Sequence, residues 1–152
     1  MIDDLTLARS LHILAVVIWI GGVYFVTFIV LPSLKATANG IARFEAIETL
    51  FARHAKIVVT LAGASGFYML HKLDGWAWYG EPSQWWVFAM TALWLLFTIV
   101  LFVLEPLFLH AWFMRQAAED PARTLAWARR FHLILTLLSL TTIAGAIYGV
   151  HG

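Results

Sequence analysis

Four apolar stretches leave this chain few folds to choose from. They cover residues 11–31, 57–70, 85–109 and 131–150. About 20 apolar residues in a row is the length of helix that crosses a bilayer. The second stretch is short for a span and must recruit flanking residues such as His54 and His71. A soluble alternative fails on composition: the chain has 152 residues, 62% of them hydrophobic and 12% charged. A domain of that length has too little interior to hide so much apolar surface. No stretch alternates as barrel strands do. The expectation is one all-α domain over 1–152, an integral membrane antiparallel four-helix bundle. Its spans fall at about 7–32, 52–73, 84–112 and 129–150.

Charge gives the bundle a direction. Lys35, Arg43, Arg53 and Lys56 lie between the first two spans, and Arg115, Arg123, Arg129 and Arg130 between the last two. Only Arg9 and Lys72 fall on the other side, with Asp3, Asp4, Asp74 and Glu81. Basic residues collect on the cytoplasmic side, so both termini are expected in the periplasm and the protein in a bacterial inner membrane. The acidic start, Asp3 and Asp4, and the long first apolar run read as a span rather than a secretory signal. Cysteine is absent, which removes disulfides, thiolate clusters and covalent c-type haem from consideration. A net charge of +1 without a basic tract gives no sign of a nucleic-acid partner. The expected surroundings are the lipid bilayer and an undefined electron donor and acceptor, with a homo-oligomer left open.

All six histidines lie at the ends of these stretches. His12, His71 and His151 form a periplasmic tier, and His54, His110 and His132 a cytoplasmic one. His54 and His71 are about 17 residues apart, or roughly 25 Å of helix, which places them just inside opposite edges of a hydrocarbon core about 30 Å thick. His132 and His151 occupy similar levels on the fourth span. Helix bundles hold cofactors with ligands on facing helices at one level, and two imidazoles on a haem iron are one such arrangement. His12 and His71 are therefore the candidate ligands of an upper site, and His54 and His132 of a lower one. His110 and His151 stand in reserve, because a lone interfacial imidazole also suits a polar–apolar boundary.

Other features compete or assist. Imidazole with thioether suits Cu(I), which draws attention to the His110/Met114 pair on one helix face and to Met69 near His71. Glu105, followed by Pro106, is the only acid within a span. It is a candidate for proton movement or for pairing with Arg53, Arg129 or Arg130. Pro32 should end the first helix, and residues 41–56 should extend the second as an amphipathic segment, with Phe44, Ile47, Leu50 and Phe51 on its apolar stripe. Ala62/Gly66 and Gly145/Gly149 are small-xxx-small pairs that read as helix packing sites. The loop with Trp76, Trp78, Trp85 and Trp86 reads as an interfacial belt, or as a lid over an upper site.

The first span reads Leu11-His12-Ile13-Leu14-Ala15-Val16-Val17-Ile18-Trp19-Ile20-Gly21-Gly22, followed by Phe25 and Pro32. It resembles the opening helix of the copper-resistance protein D (CopD) family and looks like that of the related HemJ-type membrane proteins. Gly66-Phe67-Tyr68-Met69-Leu70 and Arg130-Phe131-His132 match in pattern. The resemblance implies His12 as the family's first-helix histidine. It also implies copper handling on the CopD side, and b-type haem with protoporphyrinogen oxidation on the HemJ side. Together with the two tiers, the leading expectation is a membrane protein binding one or two haem b groups and moving electrons, as a carrier or a membrane oxidoreductase. Copper binding or transport, a HemJ-like oxidase and a structural subunit with purely interfacial histidines are the alternatives.

Overall fold

The computed structural model describes residues 3–34 and 39–151, without the side chains of residues 150 and 151. Lys35 in the first basic loop and the imidazole of His151 lie outside the described residues. Four helices carry most of the described chain, and there is no strand among the described residues. α1 spans Asp4–Leu34, α2 Gly40–Lys72, α3 Pro82–Glu119 and α4 Pro121–His151.

Three of the four expected spans are long and apolar enough to cross a membrane: α1, α3 and the Pro121–Gly149 part of α4. α2 has the length, 33 residues, but lacks the sustained hydropathy. The reason lies in what α2 touches. Val59, Ala62, Gly63 and Ser65 at its centre are buried against other helices. A helix face packed closely on other helices needs small residues rather than apolar bulk, while Ile57 and Leu61 on the other face are exposed. The outer surface is the reverse: Val17, Phe88, Leu107 and Ile147 are all more than half exposed. Apolar exposure on that scale is consistent with contact with a lipid bilayer.

Local chemistry sets the helix ends. Asp3 caps α1 by accepting from the Thr6 amide at 2.7 Å, and Asp120 caps α4 by accepting from the Arg123 amide at 3.0 Å. Pro121 follows as the first residue of α4, where a missing N–H does no harm. Asp74 takes a left-handed conformation, φ 51°, just after α2 and turns the chain into the Gly75–Gly80 3₁₀ segment. Pro32 does not end the first helix, which runs on to Leu34. A π-helical turn at Val26–Val30 precedes it. A longer π segment, Val100–Leu109, contains Glu105 and Pro106. Widening the turn relieves the clash between a proline ring and the carbonyl behind it, so both helices stay continuous.

Contacts fix the neighbours. Asp4 at the start of α1 pairs with Lys72 at the end of α2 at 2.6 Å. Near the far end of α1, Leu31 and Leu34 pack with Phe44, near the start of α2. A second core joins Ala15, Trp19 and Val23 of α1 to Val59 and Ala62 of α2, Phe97 of α3 and Leu135 of α4. Lipid removes most of the hydrophobic drive between helices, which leaves packing and interhelical hydrogen bonds to hold them. Thr27 and Thr136, both fully buried, bond α1 to α4 at 3.0 Å. The Trp94 indole donates to the Val59 carbonyl at 2.9 Å and ties α3 to α2. The Gly145/Gly149 pair departs from the expected role of bringing helix backbones together. A Cβ at Gly145 would strike the Trp85 ring, and one at Gly149 the Trp86 ring. These glycines on α4 seat indoles from α3.

Candidate functional site

Two partly open cavities of the fold share one wall, Trp19. The larger has a volume of about 670 Å³ and lies toward the end of the molecule that carries Asp4 and Lys72. That is within the usual size of small-molecule and cofactor pockets. Its walls are mainly aromatic and apolar, including Phe67, Trp78, Trp86 and Trp94, with few polar groups. His12 reaches in from α1, Met69 from α2 and Met90 from α3, while Arg9 lies one turn before His12 on the lining.

His12 is held across a helix interface. Its Nδ1 lies 2.8 Å from the Ala62 carbonyl and 3.3 Å from the Ser65 hydroxyl oxygen. A carbonyl only accepts, so Nδ1 carries the proton and donates. Nε2 then keeps its lone pair, the arrangement found in most metal-bound imidazoles. Gly66 makes room for the ring: a Cβ there would come within 3.1 Å of His12 Cε1 and 3.3 Å of Nδ1. The Ala62/Gly66 pair thus forms a groove for an imidazole as well as a packing surface. Gly63 between them would drive a Cβ into the Trp94 indole. The loop after α2 contributes Trp78 and Tyr79 to this cavity, so it lines the site as a lid would, and the start of α3 contributes Gln84, while Trp76 is exposed and stacks on Phe67 at 6.4 Å.

The smaller cavity, about 100 Å³, is of another kind. Glu45 and Glu48 of α2, Glu105 and His110 of α3, and His132 of α4 line it. Glu105 pairs with Lys56 at 3.1 Å, not with Arg53, Arg129 or Arg130. Lys56 lies one turn inside Arg53 on α2, so its shorter reach suffices. The His110 Nε2 sits 3.7 Å from Glu45. Glu48 lies on the α2 segment before the expected span at 52–73. Desolvation by the surrounding protein, reinforced by the negative charges of Glu105 and Glu45, pushes its carboxyl up to about 7.

The expected tiers are only partly assembled. His12 lines the large cavity, but His71 is exposed and outside it. His132 and His110 line the small cavity, whereas His54 is exposed, with its Nδ1 2.8 Å from its own helix's Leu50 carbonyl. His132 makes the same own-helix bond to Ala128 at 2.9 Å. Met114 lines neither cavity. No group of three His, Cys, Asp or Glu side chains that could hold a metal occurs among the described residues.

Sequence reasoning passed over Met90, Trp94, Glu45 and Glu48. The two glutamates were findable: Glu45, Glu48, Ala52 and Ala55 recur at helical spacing and all line the small cavity. Of the expected stripe, Phe44 is buried and Phe51 half-buried, while Ile47 and Leu50 face outward. Compared with protein-family models, curated proteins and solved structures, the chain finds no match.

Proposed function

We propose that this chain is a multi-pass inner-membrane protein, an antiparallel bundle with periplasmic termini, that holds one haem b in the large cavity and serves as a membrane electron carrier. The observation that carries this reading is His12: an imidazole in an aromatic cavity, its Nδ1 proton committed to the Ala62 carbonyl and its Nε2 left as a donor for iron. The cavity suits the group in two further respects. Arg9 lines the cavity and has no ion-pair partner among the described residues, so it can meet an anionic carboxylate. The buried Trp86 Nε1–H has no acceptor among the described residues and calls for one from a guest. His12 would hold the iron, with the Met69 or Met90 thioether as a second ligand. Bound haem would supply one-electron redox chemistry; the chain's residues would hold it, orient it and exclude water.

The small cavity, at about 100 Å³, is below the range of cofactor pockets, which favours one haem over two. A second reading draws on the same residues. An imidazole and two thioethers lining one cavity also suit Cu(I), and this set replaces His110/Met114 as the copper candidate. The absorption spectrum of the purified protein, with iron and copper content, tests both. A Soret band with about one iron per chain is the expected result. Stoichiometric copper without a Soret band would turn the assignment to copper, and neither metal would end both.

A further inference from the structure

We propose that the small cavity is a hydrated proton-binding site, with the Glu48 carboxyl as its acceptor and Glu105, Glu45 and Trp19 as the groups that set its affinity. The proposal stands apart from the haem assignment, because it concerns different residues and needs no cofactor. Three carboxylates meet one ammonium here: Glu45 and Glu48 from α2, Glu105 from α3, and Lys56 paired to Glu105. The imidazoles of His110 and His132 complete the titratable lining, and α1 contributes only the uncharged Trp19 and Val23. With one cation for three acids, full ionisation leaves uncompensated negative charge in a partly desolvated space, and the cluster lowers its energy by keeping a proton.

A second observation, independent of the acids, points to water. Trp19 is 4% exposed and forms part of the wall of both cavities, yet its Nε1–H has no acceptor among the described residues. Buried donors are rarely left unmet. A volume of about 100 Å³ has room for about three waters, and a water in it can accept from the indole and donate to a carboxylate. The balance is simple: the Glu48 carboxylate takes one proton from water at the end of the bundle remote from Asp4 and becomes a neutral carboxyl. No electron or co-reactant is involved.

Glu48 is the group the arrangement selects. Glu105 is paired with Lys56, and Glu45 faces His110. Glu48 has neither, and burial with two neighbouring negative charges raises its carboxyl toward neutrality. Protons on it exchange near cytoplasmic pH if the bundle is oriented as the loop charges indicate.

Infrared difference spectroscopy on the full-length protein in lipid nanodiscs, titrated between about pH 5 and about pH 9, tests this. One protonated carboxyl band should disappear with a midpoint near neutrality and be absent in Glu48→Gln. Glu48→Asp, which keeps the acid, should restore a band with a displaced midpoint. Glu105→Gln should lower the midpoint by about one unit by removing a like charge. Trp19→Phe should raise it by a few tenths by removing a donor that favours the charged form. The idea is overturned if no carboxyl titrates in that range, if the band survives in Glu48→Gln, or if millimolar Mg²⁺ or Na⁺ displaces the proton in direct competition. An unmoved midpoint in Trp19→Phe would remove Trp19 from the site.

Discussion

The two cavities divided by Trp19 hold histidines in different ways. His12 gives its Nδ1 proton to a carbonyl on another helix, and Gly66 on that helix clears space for the ring. His132 sits against Ala128, one turn back on its own helix, and His54 does the same with Leu50. The own-helix bond satisfies an imidazole wherever a helix happens to put it. The cross-helix bond specifies where the ring lies relative to two helices at once. On the proposed function that bond preorganises His12 as a ligand, and His132 and His54 have no such bond among the described residues. The smaller cavity concentrates charge instead, in a space too small for a large guest.

The sharpest way to break this contrast is to remove one imidazole from each cavity. His12→Ala should abolish the Soret band, while His132→Ala and His54→Ala should each leave most of the haem in place. The check is the haem-to-protein ratio by pyridine haemochrome after purification, with circular dichroism confirming that the helices persist. Equal losses from His12→Ala and His132→Ala would make the two cavities alike and restore the two-tier arrangement.

Why the sequence pointed to two equal tiers is a matter of azimuth. Apolar runs give helix number and axial depth, and His54, His71 and His132 do lie where helix rise puts them. In a helix apolar all round, however, the 3.6-residue period carries little information about which side faces inward. His54 and His71 therefore read like His12, although both are exposed. The Ala62/Gly66 pair correctly signalled close approach, but a glycine does not state what approaches it. At Gly66 it is an imidazole, and at Gly145 and Gly149 it is an indole. The second span rests on the short apolar run at 57–70 with its flanking residues. Its small centre, Ala62, Gly63 and Ser65, is buried against protein. Charge was more legible where it alternated with apolar residues, and the face holding Glu45 and Glu48 could have been read from spacing.

A smaller perturbation tests the groove rather than the ligand. Gly66→Ala places a Cβ tight against His12 Cε1 and Nδ1, so the ring must shift by a few tenths of an ångström. Disturbing the shell behind a metal-bound imidazole typically lowers affinity roughly 10–100-fold. Haem titration of the apoprotein should show a loss in that range, and an unchanged affinity would mean that the groove does not position the ring. On the other side of Trp19, no glycine supports His132, and the corresponding variable is pH. The folded Glu48 carboxyl binds its proton more tightly than the unfolded chain does, with an affinity near 7 against an ordinary value near 4.5. Its contribution is fully present below about 4.5 and is lost as pH rises through about 7. Discounted for the group's partial exposure, that amounts to roughly 1 kcal/mol. Melting of the detergent-solubilised protein should occur a few degrees lower at about pH 8 than at about pH 5, and Glu48→Gln should flatten that slope. A slope that survives in Glu48→Gln would assign the pH dependence to another group.

The smallest expected effect separates the two partners of His12. The Ala62 carbonyl is the closer, at 2.8 Å, and the Ser65 hydroxyl the more distant, at 3.3 Å. Ser65 has already given its proton to the Leu61 carbonyl at 2.6 Å, so its oxygen offers Nδ1 only a weak second acceptor. Ser65→Ala removes that contact while leaving the main-chain bond and the space at Gly66 intact. A typical intramolecular hydrogen bond contributes about 1 kcal/mol net, and this one is long and shared, so the loss should be at most about 0.5 kcal/mol. That converts to less than about a threefold change in haem affinity, with the Soret maximum unmoved because Nδ1 keeps its proton on the carbonyl. A tenfold loss would mean that the hydroxyl, not the backbone, fixes the tautomer of His12. The contrast with His132 would then rest on one replaceable side chain rather than on the path of α2.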